Sequence, residues 1–246
     1  MFYFDPIYLL FILPALALSL WASFRTKSAF KKYSRVPAAT GLTGAEAARK
    51  LLDHEGIRDV KILPHQGMLT DHYNPLNKTL NLSQDVYGSR SIAAVGVACH
   101  EAGHAIQHAH AYKPLWIRSL LVPSANIGSS VGYFVMMAGL MLMYMSGRAG
   151  RGVGGGIGVD VVLLGAVLFS AVLLFQIVTL PVEFDASARA KKLAVADGII
   201  LPQEREGMDR VLNAAALTYV AAMISTLMTL LYFLFRAGLL GGRSRD

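Results

Sequence analysis

Four long apolar runs interrupt a chain that is otherwise patterned as an ordinary mixed domain. FDPIYLLFILPALALSLWASF (residues 4–24), SANIGSSVGYFVMMAGLMLMYM (124–145), VDVVLLGAVLFSAVLLFQIVTL (159–180) and AAALTYVAAMISTLMTLLYFLF (214–235) each reach the roughly 20 apolar residues needed to cross a bilayer as a helix. The first run has no basic residue before it and a basic group after it. That order predicts an uncleaved anchor rather than a signal peptide. Gly128 and Gly132 form a small-xxx-small pair in the second run, which suits close helix packing. Between the first two runs the pattern changes. Thr43 with Glu46 reads as a capping box that opens the helix AEAARKLLDHE, and Gly56 ends it. DVKIL (59–63) and TLNLS (79–83) alternate like strands. The stretch between them carries Gly67, Asn74-Pro75 and Asn77, all turn formers, so a small hairpin or three-stranded sheet is predicted. SIAAVGVACHEAGHAIQHA (91–109) contains no proline and reads as one long helix.

Composition agrees with a membrane protein. Of 246 residues, 54% are hydrophobic and only 16% charged, against about 25% charged in soluble domains, and the mean hydropathy is +0.46. The net charge of +7 comes without any aromatic-interleaved basic patch. It therefore reports orientation, and nucleic-acid binding is excluded as a role. The lone Cys99 rules out an internal disulfide. Four spans put both termini on one side. The other side carries Arg25, Lys27, Lys31, Lys32, Arg35, Lys113, Arg118, Arg189, Lys191 and Lys192, against Arg148, Arg151, Arg236, Arg243 and Arg245 on the terminal side. The expectation is a multi-pass protein of the cell (inner) membrane with its termini outside. Its parts would be a first span (1–24), a cytoplasmic region (25–120), a hairpin of two spans (121–180), a second cytoplasmic segment (181–213) and a last span with its tail (214–246). The glycine-rich loop at 146–158 would be a flexible outer link.

The chemistry concentrates in HEAGHAIQHAH (100–110), four histidines and a glutamate in eleven residues. Residues four apart on a helix share a face, so His100 and His104 can reach one zinc ion, and Glu101 can reach a water beside it. A catalytic zinc takes three protein ligands and keeps one position open. His110 stands at the spacing of HExxHxxGxxH, but Gln107 occupies the glycine position and nothing signals the chain reversal that pattern needs. His108 lies about 12 Å along the helix from His100, and both it and His110 read as a polar helix end. Glu183, in the apolar setting LPVEF where the third span ends, is the better third ligand, because an uncompensated carboxylate there is costly. Pairing with Arg189 or Lys191 is the plainer account of it. Ser187, one helical turn on, can support the Glu183 carboxylate or a histidine ligand, and Asp185 is a candidate for an outer supporting role. Short strands ahead of a HExxH helix are the arrangement of a zincin, in which a strand holds an extended substrate beside the metal. The fold class expected is thus an α-helical integral membrane protein with a small α+β zincin-like cytoplasmic portion, about four transmembrane helices and HExxH on a long helix.

The blocks LTDHYNP, LNLSQDVY, SIAAVGVACHEAGHAIQ, LPVEFDAS and LNAAALTYVAA together resemble the bacterial membrane-bound neutral zinc metallopeptidases of the YugP type, over nearly the whole chain. The resemblance implies a membrane gluzincin-like peptidase related in plan to the HtpX heat-shock protease, with His100, His104 and Glu183 binding one catalytic zinc and Glu101 as general base. The HtpX-like pattern has an aspartate four residues after the ligand glutamate, where this chain has Ser187.

The function expected is zinc-dependent hydrolysis of membrane-associated or cytoplasmic polypeptides. His72, Tyr73 and Tyr219 are the candidates for stabilising the oxyanion. Partners are the polypeptide substrate and the lipid bilayer, and a membrane-protein partner or a second copy of the chain is compatible with this plan. Other readings are a site-2-type intramembrane protease using Asp197 of Asp197-Gly198, a non-proteolytic scaffold or chaperone with a structural zinc, and a transporter, which the few polar residues at mid-span (Ser170, Ser225) disfavour.

Overall fold

A computed structural model describes residues 5–67, 69–146 and 156–240. Most of the glycine-rich loop expected as an outer link lies outside these residues. Helix α1 runs Pro6–Tyr33, α2 Gly44–His54, and strands β1 Lys61–His65, β2 His72–Asn74 and β3 Thr79–Ser83 follow. The short α3 (Gln84–Tyr87) leads into α4 (Ile92–Ala109). Helices α5 (Lys113–Ile127) and α6 (Tyr133–Met145) are joined by a π-helical turn, and α7 (Ile157–Ala196) and α8 (Arg205–Arg236) complete the chain. Among the described residues four helical stretches are long and apolar enough to cross a membrane: Pro6–Tyr33, Lys113–Met145, Ile157–Ala196 and Pro202–Arg236.

Each of these helices outruns its apolar core. At 1.5 Å per residue, the 40 residues of α7 span about 60 Å, twice the roughly 30 Å of a hydrocarbon layer. The third apolar run ends at Leu180, yet the helix continues through Pro181, which costs a helix one hydrogen bond without ending it here.

The chain divides into two units. The first comprises Met1–Leu20, Ile117–Val178 and Val220–Asp246. Met136, Val162, Phe169 and Phe233 form its core, while Leu10, Phe134 and Val167 are about 70% exposed, as a surface facing lipid rather than water would be. Gly132 lets α7 approach closely: a Cβ there would sit 2.7 Å from the Phe169 nitrogen and 3.0 Å from the Gly165 carbonyl oxygen.

The second unit comprises Trp21–Trp116 and Thr179–Tyr219. The Thr43 hydroxyl accepts from the Glu46 N–H (3.2 Å), and the Glu46 carboxylate accepts from the Thr43 N–H (2.8 Å), closing the capping box of α2. Gly56, at φ +72°, ends it in the left-handed region that glycine enters freely. The sheet order is β1-β3-β2, with β1 parallel and β2 antiparallel to the central, buried β3. The strand pattern placed β1 at 59–63; it lies two residues later and takes in Pro64, which an edge strand tolerates. β2 forms inside the segment that the turn formers marked as loop, so Asp71-His72-Tyr73 leads into a strand rather than a turn. Ser91 caps α4 by accepting from the Ala94 N–H (3.2 Å). Most of α4 is buried, in a core shared with Leu51, Leu52, Leu80 and Leu82.

Candidate metal centre

Within the second unit, α4 supplies His100 and His104 and α7 supplies Glu183. The two imidazoles stand one turn apart, ring centroids 4.8 Å apart and nearly perpendicular at 81°. Glu183 Oε2 lies 3.2 Å from His100 Nε2 and 3.5 Å from His104 Nε2. One donor atom from each of the three residues falls within 4.8 Å of the others, an arrangement that can hold a metal ion. The separations suit zinc: ligand bonds of about 2.0–2.1 Å in a tetrahedron put donor atoms about 3.4 Å apart. The donor set, two imidazoles and one carboxylate, is the type that binds zinc at a site with an open position.

Glu183 is 2% exposed. The cations suggested as its partners go elsewhere: Arg189 Nε donates to Asp185 (2.6 Å) and Lys191 Nζ to the Asn213 side chain (2.6 Å). Arg189 and Lys191 are thus engaged by Asp185 and Asn213. Two backbones make the convergence possible. Gly103 faces α7 so closely that a Cβ would lie 2.7 Å from the Ala186 carbonyl oxygen.

Each histidine is held at its second nitrogen. His100 Nδ1 is 3.0 Å from the Ser187 hydroxyl. His104 Nδ1 is 3.0 Å from the side-chain oxygen of Gln107. Gln107 donates in turn to the Val182 carbonyl and to Asp185, both at 2.8 Å. Asp185 therefore faces α4 through Gln107. Burial lowers the His104 pKa, but the Glu183 hydrogen bond and the charges of Glu183 and Glu101 outweigh it and leave the pKa raised. Glu101, beside His100 on α4, is 8% exposed, and among the described residues it has no hydrogen-bond partner.

The other candidate histidines and Tyr73 engage partners elsewhere. His108 Nδ1 bonds the Tyr73 hydroxyl (2.8 Å), so two residues read as a helix end and an oxyanion donor tie β2 to α4. Burial pushes the Tyr73 pKa up to about 12. His110 caps α4, half exposed, 3.7 Å from Glu55. His72 is on β2, its Nδ1 against the Thr70 carbonyl (2.8 Å) and its Nε2 against the Asn81 amide (3.2 Å), so both nitrogens are engaged. Tyr219 is partly buried on α8. Asp197, the ligand of the site-2-type reading, is 2.7 Å from His54 Nδ1. Gln107 is the residue that the sequence pattern misses. Its one signal is a long polar side chain three residues after His104 on a helix that is otherwise small and apolar.

A family described as "putative neutral zinc metallopeptidase" matches residues 8–238. A relative from Bacillus subtilis (strain 168), named "putative membrane protease YugP", is 44% identical over 227 residues, covering 92% of this chain and 95% of the relative. No solved structure matches the chain.

Proposed function

This chain belongs to the "putative neutral zinc metallopeptidase" family, and from that premise we propose that it is a membrane-embedded, zincin-like endopeptidase. His100, His104 and Glu183 hold its zinc, and Glu101 is its general base. The observation that carries the reading is the approach of one buried glutamate oxygen to two imidazole nitrogens, at 3.2 and 3.5 Å.

A zinc ion there supplies Lewis acidity, polarising a scissile carbonyl and bringing the pKa of a water to about 7. The chain's residues do the rest. Glu101 takes a proton from the attacking water and returns it to the leaving amine. Among the described residues no hydrogen bond holds its carboxylate, which leaves it available for both transfers. The Ser187 and Gln107 contacts keep the two rings from rotating. The excess of basic residues beyond the spans supports a site on the cytoplasmic side with the termini outside, and hence cytoplasmic or membrane-associated polypeptides as substrates.

The test compares wild type, Glu101→Gln and Glu183→Ala in detergent, reading zinc content and cleavage of an unfolded polypeptide. Wild type should carry one zinc and cleave, Glu101→Gln should keep zinc without cleaving, and Glu183→Ala should lose both. Cleavage surviving in Glu101→Gln refutes the base, and zinc retained by Glu183→Ala refutes the ligand set. Stoichiometric zinc without turnover in wild type would favour the scaffold reading.

A further inference from the structure

The Gln107 side chain is fully buried and its amide is fully used. A primary amide has two N–H donors on one atom and one acceptor oxygen. Its Nε2 faces the Val182 carbonyl and the Asp185 carboxylate, which only accept, and Asp185 is itself held by Arg189 Nε at 2.6 Å. The amide therefore cannot be turned round, and its oxygen is what meets His104 Nδ1 at 3.0 Å. An amide oxygen cannot donate, so the proton of the neutral ring sits on Nδ1. The lone pair is then on Nε2, the atom that faces Glu183.

Resting on the zinc reading above, we propose that Gln107 is a positioning residue for His104: anchored on α7 by two hydrogen bonds, it fixes both the tautomer and the rotation of that ring, so that Nε2 is presented ready to bind metal. Ligand histidines generally need a partner for their second nitrogen, and losing it typically costs 10–100-fold in metal affinity. Here the partner is a neutral amide on the same helix, three residues on, steered from the helix that brings the third ligand. Asp185 and Arg189 thereby act on the centre at one remove.

The experiment measures zinc affinity by competition with a chromophoric chelator, together with melting of the metal-free protein, for wild type, Gln107→Met and Gln107→Glu. Gln107→Met fills the same volume without an acceptor and should weaken zinc 10–100-fold. Gln107→Glu keeps an oxygen for Nδ1 and should bind zinc more tightly than Gln107→Met, although it places a carboxylate beside Asp185 and should melt lower. A purely structural role predicts the opposite order of affinities, because a buried like charge does more damage than an isosteric thioether. Should Gln107→Met fail to fold, Asp185→Ala removes one of the two anchors and should weaken zinc several-fold. Tight zinc binding in wild type with no change in these variants overturns this inference alone, whereas absence of zinc from wild type overturns the reading beneath it.

Discussion

Replacing Gly103 by alanine should damage the metal centre out of proportion to its size. The added Cβ would lie 2.7 Å from the Ala186 carbonyl oxygen and 3.2 Å from the Ala186 carbonyl carbon and Cα. These are backbone atoms with nowhere to turn. Ordinary contact begins at 3.4 Å, so α4 and α7 must separate by about 0.7 Å. Ala186 lies between Glu183 and Ser187 on α7, so the displacement falls on the carboxylate and on the hydroxyl that holds His100. The Glu183 separations, now 3.2 and 3.5 Å, would exceed the roughly 3.4 Å edge of a zinc tetrahedron. Overpacking of this kind costs about 1–3 kcal/mol. If half of that strain is relieved by letting the helices part, zinc affinity falls roughly two- to ten-fold, since 1.4 kcal/mol corresponds to a factor of ten. Alanine also gains about 1 kcal/mol over glycine in helix propensity, which masks part of the loss. Gly96→Ala, on the same helix, receives the same gain, but its Cβ would meet the flexible Met208 side chain at 3.2 Å. The comparison of the two variants isolates the packing. The assay is chelator competition for zinc alongside thermal melting. Gly103→Ala matching Gly96→Ala in both would refute the claim that close backbone approach builds the site.

Two further predictions concern the frame. Thr43→Ala removes half of the capping box and should destabilise the protein by about 0.5–2 kcal/mol in chemical denaturation while zinc content stays unchanged; no shift in the midpoint would show that the cap is dispensable. Burial raises the Asp71 pKa from its ordinary 3.8, partly offset by hydrogen bonds from Ser83. The native state therefore holds that proton more tightly than the unfolded chain. The stabilisation is present below 3.8 and is lost as pH rises through the raised native value. Asp71→Asn should abolish that component, so the stability difference between wild type and variant should grow in favour of wild type as pH falls towards 3.8. A difference independent of pH would show the native carboxyl to be unperturbed.

Much of the frame could be read from local signals. Thr43, Glu46 and Gly56 bound α2 because caps act within a few residues. The alternation of TLNLS marked β3. What escaped depends on partners far along the chain. β2 is three residues long, too short for any periodicity, and is stabilised by pairing with β3 and by the Tyr73–His108 bond. Pro181 lies inside α7, where its single missing hydrogen bond is outweighed by packing on both sides of it. The nearness of Glu183 to the histidines could be inferred from the cost of a buried carboxylate. Gln107 could not be assigned, since a glutamine on a helix becomes informative only when the acceptors on α7 are known.

The separation of 83 residues between His100 and Glu183 has a bearing on biosynthesis. At about 5–20 residues per second, a ribosome needs roughly 4–17 s to deliver the glutamate after the histidine motif has emerged. During that interval two further apolar segments emerge, and on the proposed ligand set the nascent chain owns only two of the three groups that would bind zinc. If the chain is the peptidase proposed above, this order would keep it inert while its own unfolded polypeptide is most vulnerable to it, and would arm it only after insertion is nearly done.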